Sequence, residues 1–430
     1  MNFSILSSFS VGEAEPLPTV MILSSKRVII LKKTSFIIAE YNPLHNGHVY
    51  HIEQTRMAGA ERIIVLMSGD FVQRGEPALL QKHLRAKAAV EAGANLVLEI
   101  PQKYVLCGTG HFADGAAKII ASSGLSGTLS FGAESDLHDI LKTADAVCDT
   151  SVQQKVTLLC KEKGFSYPRA LQSAVNDIYG KQTAEVLSFP NNLLAVNYIN
   201  ALKKHDCDVD FFSVKRQGVS HDSDEFNGSN ISAKKLRELI LNSTGDISKY
   251  VPDYSFDIIS ESLNKGNIID YNKYNLAAVS RLQTLSGDDL MRINGVNQGL
   301  ENLFYDAIKT NCDLYTVCEN VKSKRFTSSR LRQICLCAAL GITKADAASE
   351  LSYVNVLGFD TVGRNILHEI KNNSPVPFVT LLSQAQNLFS PRDAYLDERT
   401  ELFYNLCIRT PSPDFSPYRQ KPFIYPIKRD

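Results

Sequence analysis

Short apolar segments alternate with longer amphipathic ones along the first third of the chain, and this alternation predicts the fold. Four segments are short, largely apolar and rich in β-branched residues, which predicts buried strands; they are residues 35–40, 62–68, 95–100 and 128–131. Segments with helical spacing separate them; these are residues 45–59, 80–91 and 114–122. Apolar strands that alternate with helices are typical of a parallel sheet covered on both faces. We therefore predict an α/β fold with a Rossmann-like, doubly wound parallel sheet.

The pattern changes further along the chain. Residues 137–182 are mostly helical, and the α/β part then closes with a helix at 193–203, a strand at 208–214 and a helix at 232–241. The following stretch keeps helical periodicity and has few strand signals. The last part contains six prolines, which lack a backbone N–H and interrupt regular structure; they are Pro391, Pro411, Pro413, Pro417, Pro422 and Pro426.

These changes divide the chain into four predicted segments. The first is an extension that does not fit the pattern of the rest, the second is the α/β domain, the third is a helical domain and the last is an irregular tail. A chain of 430 residues with 44% hydrophobic and 21% charged residues is long enough for more than one core. The predicted segments are residues 1–34, 35–245, 246–385 and 386–430.

Bulk charge, cysteine content and hydropathy indicate which binding surfaces and which cellular compartment to expect. The chain has 46 Lys and Arg residues and 46 Asp and Glu residues, so its formal net charge is zero. Any RNA-binding surface must therefore be a local positive patch that acidic residues elsewhere balance. Nine cysteines without a CxxC pair favour reduced thiols over a disulfide framework. The sequence has no apolar run of about 18 residues, so we expect no membrane span. We read no signal peptide and expect a cytoplasmic protein.

The segment IIAEYNPLHNGHVYH, residues 37–51, carries the strongest chemical signal. A predicted strand ends in a turn, and His45 and His48 then lie three residues apart in the first turn of a helix, on one face. Gly47 between them allows a ligand to approach the backbone closely. A helix start at the end of a parallel strand attracts anions. Two imidazoles there can bind a nucleotide phosphate and stabilise charge at the α-phosphate, so both histidines are catalytic candidates. The alternative is two surface histidines beside a turn.

Other candidates follow the predicted strands, where ligands bind in such folds. Arg74 could bind a phosphate or a carboxylate, and Gly132 permits close approach of a base or ribose. Each candidate has an ordinary alternative, which is a helix cap for the serine and asparagine residues and a solvated side chain for the cations. The remaining candidates are Asn191, Asn192, Lys215, Arg216, Gln217, Ser232 and Arg237.

Six motifs occur together and in a fixed order: AEYNPLHNGHVYH, MSGDFVQRGEPA, FGAE, FPNN, VKRQG and ISAKKLR. As a set they resemble the bacterial tRNA(Met) cytidine acetate ligases, which belong to the HxGH nucleotidyltransferase-like superfamily. The resemblance covers residues 37–237 well and continues more weakly in the helical part. It implies that ATP activates acetate as acetyl-adenylate, and that the acetyl group passes to the exocyclic amine of the wobble cytidine of elongator tRNA(Met). It also implies Mg²⁺ with the triphosphate, and we infer no stable protein partner.

The resemblance also implies which residues contact ATP. The matching positions are Ile38, Ala39, Glu40, Tyr41, Asn42, Pro43, Leu44, His45, Asn46, Gly47, His48, Val49, Tyr50, His51, Gly132, Asn191, Arg216 and Gln217. Three positions depart from the family pattern. Phe36 replaces a usual glycine, Leu44 a usual phenylalanine, and Lys234 a small hydroxyl residue. No residue can be named as a metal ligand from the sequence.

A cluster of cations in the helical segment is a candidate for RNA binding. Such a cluster can hold RNA phosphates, although a solvated helix end is an alternative for any one member. Its members are Lys322, Lys324, Arg325, Arg330 and Arg332. Two other functions remain open at this point. One is a nucleotidylyltransferase that acts on a small phosphorylated metabolite, and the other is a tRNA-binding protein with a relic nucleotide site.

Overall fold

The structure is a computed structural model that describes residues 32–215, 231–297, 299–323, 326–386 and 391–426, together with two short strands before residue 32. Apart from those strands and residues 32–34, the N-terminal extension lies outside the described residues. The strands are β1 (Ile22–Leu23), β2 (Lys26–Arg27), β3 (Thr34–Ala39), β4 (Arg62–Ser68), β5 (Phe71–Val72), β6 (Glu76–Pro77), β7 (Leu96–Ile100), β8 (Gly127–Ala133), β9 (Val209–Lys215), β10 (Val354–Phe359), β11 (Phe378–Val379) and β12 (Phe423–Ile424).

The helices fall into three groups along the chain. Those between β3 and β9 are α1 (Asn46–Met57), α2 (Lys82–Glu91), α3 (Gln102–Val105), α4 (Thr109–Ser123), α5 (Leu137–Cys148), α6 (Thr150–Lys163), α7 (Tyr167–Tyr179), α8 (Lys181–Val186) and α9 (Pro190–Lys204). Those between β9 and β10 are α10 (Ala233–Asn242), α11 (Asp253–Lys265), α12 (Tyr271–Gln283), α13 (Gly287–Arg292), α14 (Leu300–Thr310), α15 (Leu314–Val321), α16 (Ser328–Leu340) and α17 (Lys344–Ala348). The last are α18 (Thr361–Asn373), α19 (Leu382–Gln386) and α20 (Pro391–Leu406), with a 3₁₀ turn at Pro417–Arg419.

The main sheet has the order β11-β10-β7-β4-β3-β8-β9, and β12 pairs with β10. The five strands β7, β4, β3, β8 and β9 are parallel to one another. Neighbouring residues of β3 lie in different cores, with Phe36 on one face of the sheet and Ile37 on the other. The chain builds outward from β3 to β4 and β7, and returns to the other side of β3 with β8. In such sheets, ligands bind at the carboxyl ends of the two strands where the strand order reverses, which here are β3 and β8.

The predicted α/β fold is confirmed, and the predicted strands of the α/β part are all present with small shifts at their ends. The predicted strand 62–68 coincides with β4, and the predicted strand 208–214 is displaced by one residue in β9. All nine cysteines are free thiols. Within the described ranges, no helix combines the length and the apolar character that a membrane crossing needs.

Two expectations about the second half of the chain differ from the structure. Residues 246–385 contain β10, which joins the main sheet antiparallel to β7 and makes the sheet mixed. β10 is only six residues long, and the sequence of such a short apolar run does not distinguish a helix from a strand. Residues 386–430 contain the 16-residue helix α20 and the strand β12, where an irregular tail was expected. Pro391 opens α20, a position where the missing N–H costs nothing. The division of the chain into domains stays a prediction.

A buried lysine joins the C-terminal helix to the sheet. Lys82 Nζ, at the start of α2, lies 2.7 Å from Glu99 Oε2 in β7 and 2.7 Å from Glu401 Oε1 in α20. The side chains of the three residues are 3%, 3% and 6% exposed, so water does not screen these ion pairs. Asn355 of β10 donates to Glu99 Oε2 and to Asp397 Oδ2 of α20, each at 3.1 Å. The mixed edge of the sheet and α20 therefore depend on one shared polar network.

The network should make stability depend on pH. Burial, and next to it the negative charge of Glu99, raise the pKa of Asp397 from 3.8 to about 7. A carboxyl group whose pKa is higher in the folded chain favours folding when it is protonated, and this contribution is lost as the pH rises from about 4 to about 7. We expect Asp397→Asn to remove that loss. As the pH rises from about 4 to about 7, the free energy of unfolding of the variant should increase relative to that of the wild type, by at most about 4 kcal/mol.

Denaturant unfolding at several pH values between 4.5 and 7.5 checks this expectation. The matched control is Asp414→Asn, because Asp414 is exposed and also lies in the C-terminal part. Parallel pH profiles for the wild type and for Asp397→Asn would contradict the assignment of this carboxyl group.

Candidate functional site

The connection between β3 and α1 forms a tight corner at the carboxyl edge of the sheet. Tyr41 adopts a left-handed conformation with φ of 46°, and the Asn42–Pro43 peptide bond is cis. Asn42 is buried, and its Oδ1 accepts a hydrogen bond from Leu79 N at 2.7 Å. Arg237 of α10 donates to the carbonyl oxygen of Asn42 at 2.9 Å. The corner is therefore held by hydrogen bonds to distant parts of the chain, one from the Leu79 backbone and one from the Arg237 side chain.

His45 and His48 cap the helix that begins at this corner. His45 Nδ1 accepts from Gly47 N at 3.1 Å, and His48 Nδ1 accepts from His45 N at 3.2 Å, which makes a reciprocal capping box. A ring nitrogen that accepts a hydrogen bond carries no proton, so the neutral rings carry theirs on Nε2. The arrangement thus fixes which nitrogen of each ring can donate to a ligand.

The two rings are arranged as a stacked pair. Their centroids are 3.8 Å apart with an interplanar angle of 24°, and Tyr41 contacts the His48 ring edge-on at 4.9 Å. A Cβ atom at Gly47 would lie 3.0 Å from His45 Cε1, so a glycine suits the close cap. The structure thus brings both predicted histidines together with preorganised donors.

Glu40 links this corner to the loop after β4. Its Oε1 accepts from Gln73 N at 2.6 Å. Burial raises the pKa of the Glu40 carboxyl group, and the positive charges of Arg85, Arg237 and Arg74 act in the opposite direction. The loop that carries Arg74 is thereby tied to the end of β3. Glu40 is thus a carboxylate of the site that lies among arginine side chains.

Arg85 in α2 is a functional candidate that the sequence did not reveal. It is 1% exposed, and its guanidinium group donates to four backbone carbonyls: Leu80 at 3.0 Å, Glu40 at 2.6 Å, Ser68 at 3.2 Å, and Gly69. It therefore fixes the carboxyl ends of β3 and β4 relative to one another. On a predicted helix such an arginine has the same signal as a solvated one, so only the fold could distinguish it.

The neighbouring strand β8 carries a second part of the predicted site. Gly132 lies in β8 opposite Val214 of β9, and Asn191 lies in the first turn of α9. Glu134, just after β8, accepts from the Asn191 amide at 2.5 Å. His51 Nε2 in α1 lies 2.9 Å from Ser130 Oγ in β8, so a side-chain hydrogen bond joins α1 to β8.

Some sequence candidates have other places or lie outside the described residues. Arg216 and Gln217 belong to the part of the chain that the structure does not describe. Ser232 caps α10 by accepting from Lys235 N at 3.2 Å, which is the ordinary alternative for this residue. Lys234 is exposed. Among the described residues, no group of three or more His, Cys, Asp or Glu side chains gathers where it could hold a metal ion.

Known proteins resemble this chain both in sequence and in structure. A family described as HIGH nucleotidyl transferase matches residues 32–416. The tRNA(Met) cytidine acetate ligase of Thermoanaerobacter sp. is 34% identical over 364 residues, which is 82% of this chain and 90% of the relative. The ligase of the same name from Alkaliphilus metalliredigens is 31% identical over 398 residues, covering 87% and 94%.

A solved structure is similar over almost the same length. The crystal structure of Thermotoga maritima TmcAL bound with alpha-thio ATP gives a TM-score of 0.82 at 27% identity, covering 91% of this chain and 99% of that chain. The region matched by the family, residues 32–416, includes the helices between β9 and β10 as well as the α/β part. The chain belongs to the HIGH nucleotidyl transferase family and, within it, to the family of the tRNA(Met) cytidine acetate ligases.

Proposed function

We propose that this protein uses ATP to activate acetate and then acetylates the exocyclic amine of the wobble cytidine of elongator tRNA(Met). The relatives that carry the name of this activity support the proposal. So does the similarity to a TmcAL structure that holds an ATP analogue. The observation that carries it is the stacked pair His45 and His48, whose Nδ1 atoms are used in the capping box and whose Nε2 protons can donate to a phosphate.

The first step is a displacement at the α-phosphorus of ATP. An acetate oxygen forms a bond to phosphorus, the bond to the bridging oxygen of pyrophosphate breaks, and acetyl-adenylate and pyrophosphate result. Negative charge grows on the phosphoryl oxygens, and preorganised donors from His45 and His48 stabilise it. Mg²⁺ would enter with the triphosphate as part of the substrate and offset its charge. The protein supplies no covalent nucleophile.

The second step transfers the acetyl group to RNA. The exocyclic amine of cytidine attacks the acetyl carbonyl carbon, the bond between that carbon and the AMP oxygen breaks, and the amine loses a proton. AMP and acetylcytidine are the products. A nucleotidylyltransferase that acts on a phosphorylated metabolite would not need acetate for exchange between ATP and pyrophosphate. Acetate dependence of that exchange therefore separates the two functions.

Arg330 is the member of the basic cluster that we propose contacts tRNA. Lys322 pairs with Glu319 at 3.0 Å and Arg332 with Glu76 at 3.2 Å. Lys324 and Arg325 lie outside the described residues. Within the described ranges no carboxylate lies within ion-pair distance of Arg330, whose side chain bonds Gln333 Oε1 only weakly, at 3.4 Å.

Arg330 also lies between the helical and α/β parts. Its guanidinium group is 3.6 Å from where a Cβ on Gly108 would be, directly before α4. An RNA phosphate bound there would be close to the carboxyl edge of the sheet. This position supports a role for Arg330 in bringing the wobble nucleotide to the adenylate. We propose that the reaction takes place in the cytoplasm.

The first test concerns the histidine pair. We expect His48→Ala to lower acetate-dependent exchange between ATP and pyrophosphate by roughly 100- to 1,000-fold, because one preorganised donor at a charged transition state is lost. His368→Ala, at an exposed position on α18, serves as the control and should keep wild-type exchange. Circular dichroism should show that both variants are folded. A folded His48→Ala variant with near-normal exchange would remove the histidine from the reaction.

The second test concerns Arg330. We expect Arg330→Glu to raise the dissociation constant for tRNA several-fold and to reduce its salt dependence by roughly one phosphate contact, because fewer counterions are released. The measurement is a filter-binding titration at several salt concentrations. Arg364→Glu, which makes the same charge change at an exposed position on α18, is the control. Equal binding by Arg330→Glu and Arg364→Glu would place the RNA site elsewhere.

A further inference from the structure

The loop after β8 and the first turn of α9 are joined by hydrogen bonds in both directions. Glu134 Oε1 accepts from Asn191 Nδ2 at 2.5 Å, and Glu134 Oε2 accepts from Asn192 N at 3.3 Å. In the other direction, Oδ1 of the buried Asn192 side chain accepts from Glu134 N at 2.9 Å and from Ser135 N at 3.2 Å. These bonds fix the first turn of α9 relative to the end of β8.

The carboxylate of Glu134 decides the direction of the Asn191 amide. An ionised carboxylate only accepts hydrogen bonds, so the Asn191 atom beside it must be the amide nitrogen. The opposite orientation would put the amide oxygen against a negatively charged oxygen. The Asn191 oxygen is therefore held on the other side as an acceptor. Among the described residues, no N–H or O–H group donates to it.

The two sides of the proposed phosphate site differ in the space that they leave for a nucleobase. On the β4 side, the carboxyl edge is filled by buried residues, including Phe71 and Leu79 at 0% exposure and the Arg85 guanidinium group. On the β8 side, Gly132, Glu134 and Asn191 are only partly buried. A nucleotide whose phosphates lie at the start of α1 therefore has room for its base above β8 rather than above β4.

An exposed aromatic residue lies close to Asn191 in the chain. Phe189 is 45% exposed and directly precedes α9. Aromatic side chains stack on nucleobases with little regard to base identity. A hydrogen-bonding group of fixed direction beside such a residue can distinguish one nucleobase from another, which stacking alone cannot do.

We propose that Glu134 is a positioning residue that makes Asn191 present an acceptor to the nucleobase, and that this selects adenine over guanine. The inference rests on the proposed ATP-dependent activity of the same site. The 6-amino group of adenine donates to the Asn191 oxygen. The corresponding guanine oxygen only accepts, so it would face a second acceptor and leave both unpaired. Sites that require a donor of this kind reject analogues without it strongly.

The test compares ATP and GTP as substrates of acetate-dependent pyrophosphate exchange. The wild type should favour ATP in kcat/KM on the order of a hundredfold. Glu134→Gln keeps the size of the side chain, but its amide can either donate to or accept from Asn191, so both orientations of that amide become accessible. We expect its preference for ATP over GTP to fall at least about tenfold, mainly through KM. The control is Asp136→Asn, which removes a carboxylate two residues away whose side chain makes no cap bond to α5.

The outcomes separate this inference from the proposed function. If Glu134→Gln keeps the wild-type preference, or loses exchange equally with both nucleotides while folded, Glu134 has only a structural role and the inference is wrong. Wild-type exchange with GTP as good as with ATP overturns it as well. If Glu134→Gln does not fold, Asn191→Ala takes its place, because the bonds of Asn192 remain, and an unchanged preference overturns the inference.

Direct binding covers the remaining case. If the wild type shows no acetate-dependent exchange, the proposed function fails, but dissociation constants for ATP and GTP measured by calorimetry still test the base preference. A preference for ATP that Glu134→Gln weakens and Asp136→Asn keeps would support the inference in that case too. Equal dissociation constants for both nucleotides would overturn it.

Discussion

Lys82 carries its ammonium group into the interior, where it meets the carboxylates of Glu99 and Glu401. A buried charge without a partner costs several kcal/mol, and breaking such a pair on one side typically costs about 3–5 kcal/mol. Full pairing of this lysine therefore requires α20 to be docked against the end of β7. Asn355 extends the same requirement to β10. The C-terminal part of the chain is thus an integral part of the sheet edge.

The helix that supplies Lys82 also supplies Arg85, one turn further on. Arg85 binds the carbonyls at the ends of β3 and β4, and Lys82 binds the end of β7. Two cations of α2 therefore hold the carboxyl ends of three neighbouring strands, the edge where this fold binds ligands. The buried charges are costly on their own, but they tie the strand ends to α2. Arg85 also binds the carbonyl of Glu40, the residue directly before the corner that leads to the two histidine rings.

The histidine pair shows how a capping interaction can prepare chemistry. Helix starts usually use Ser, Thr, Asp or Asn as caps, which are simple acceptors. Here His45 and His48 accept through Nδ1, so in each neutral ring it is Nε2 that carries the proton. The same logic holds at β8, where the Glu134 carboxylate sets the direction of the Asn191 amide. In both places a structural hydrogen bond determines what the next atom offers to a ligand.

Local pattern was enough to predict much of this protein. The strands of the α/β part, the helix that begins beside His45, and the His45–His48 spacing follow from periodicity and turn residues within short windows, and the ordered motifs indicated the family. The sequence could not reveal that β10 joins the sheet, that α20 follows Pro391, or that Lys82 meets Glu401. Those features depend on which distant segments pack together, and a buried cation has the same local signal as a solvated one. The tertiary structure alone decided which charges are buried and which way the Asn191 amide faces, because partners far apart in the chain set both of these.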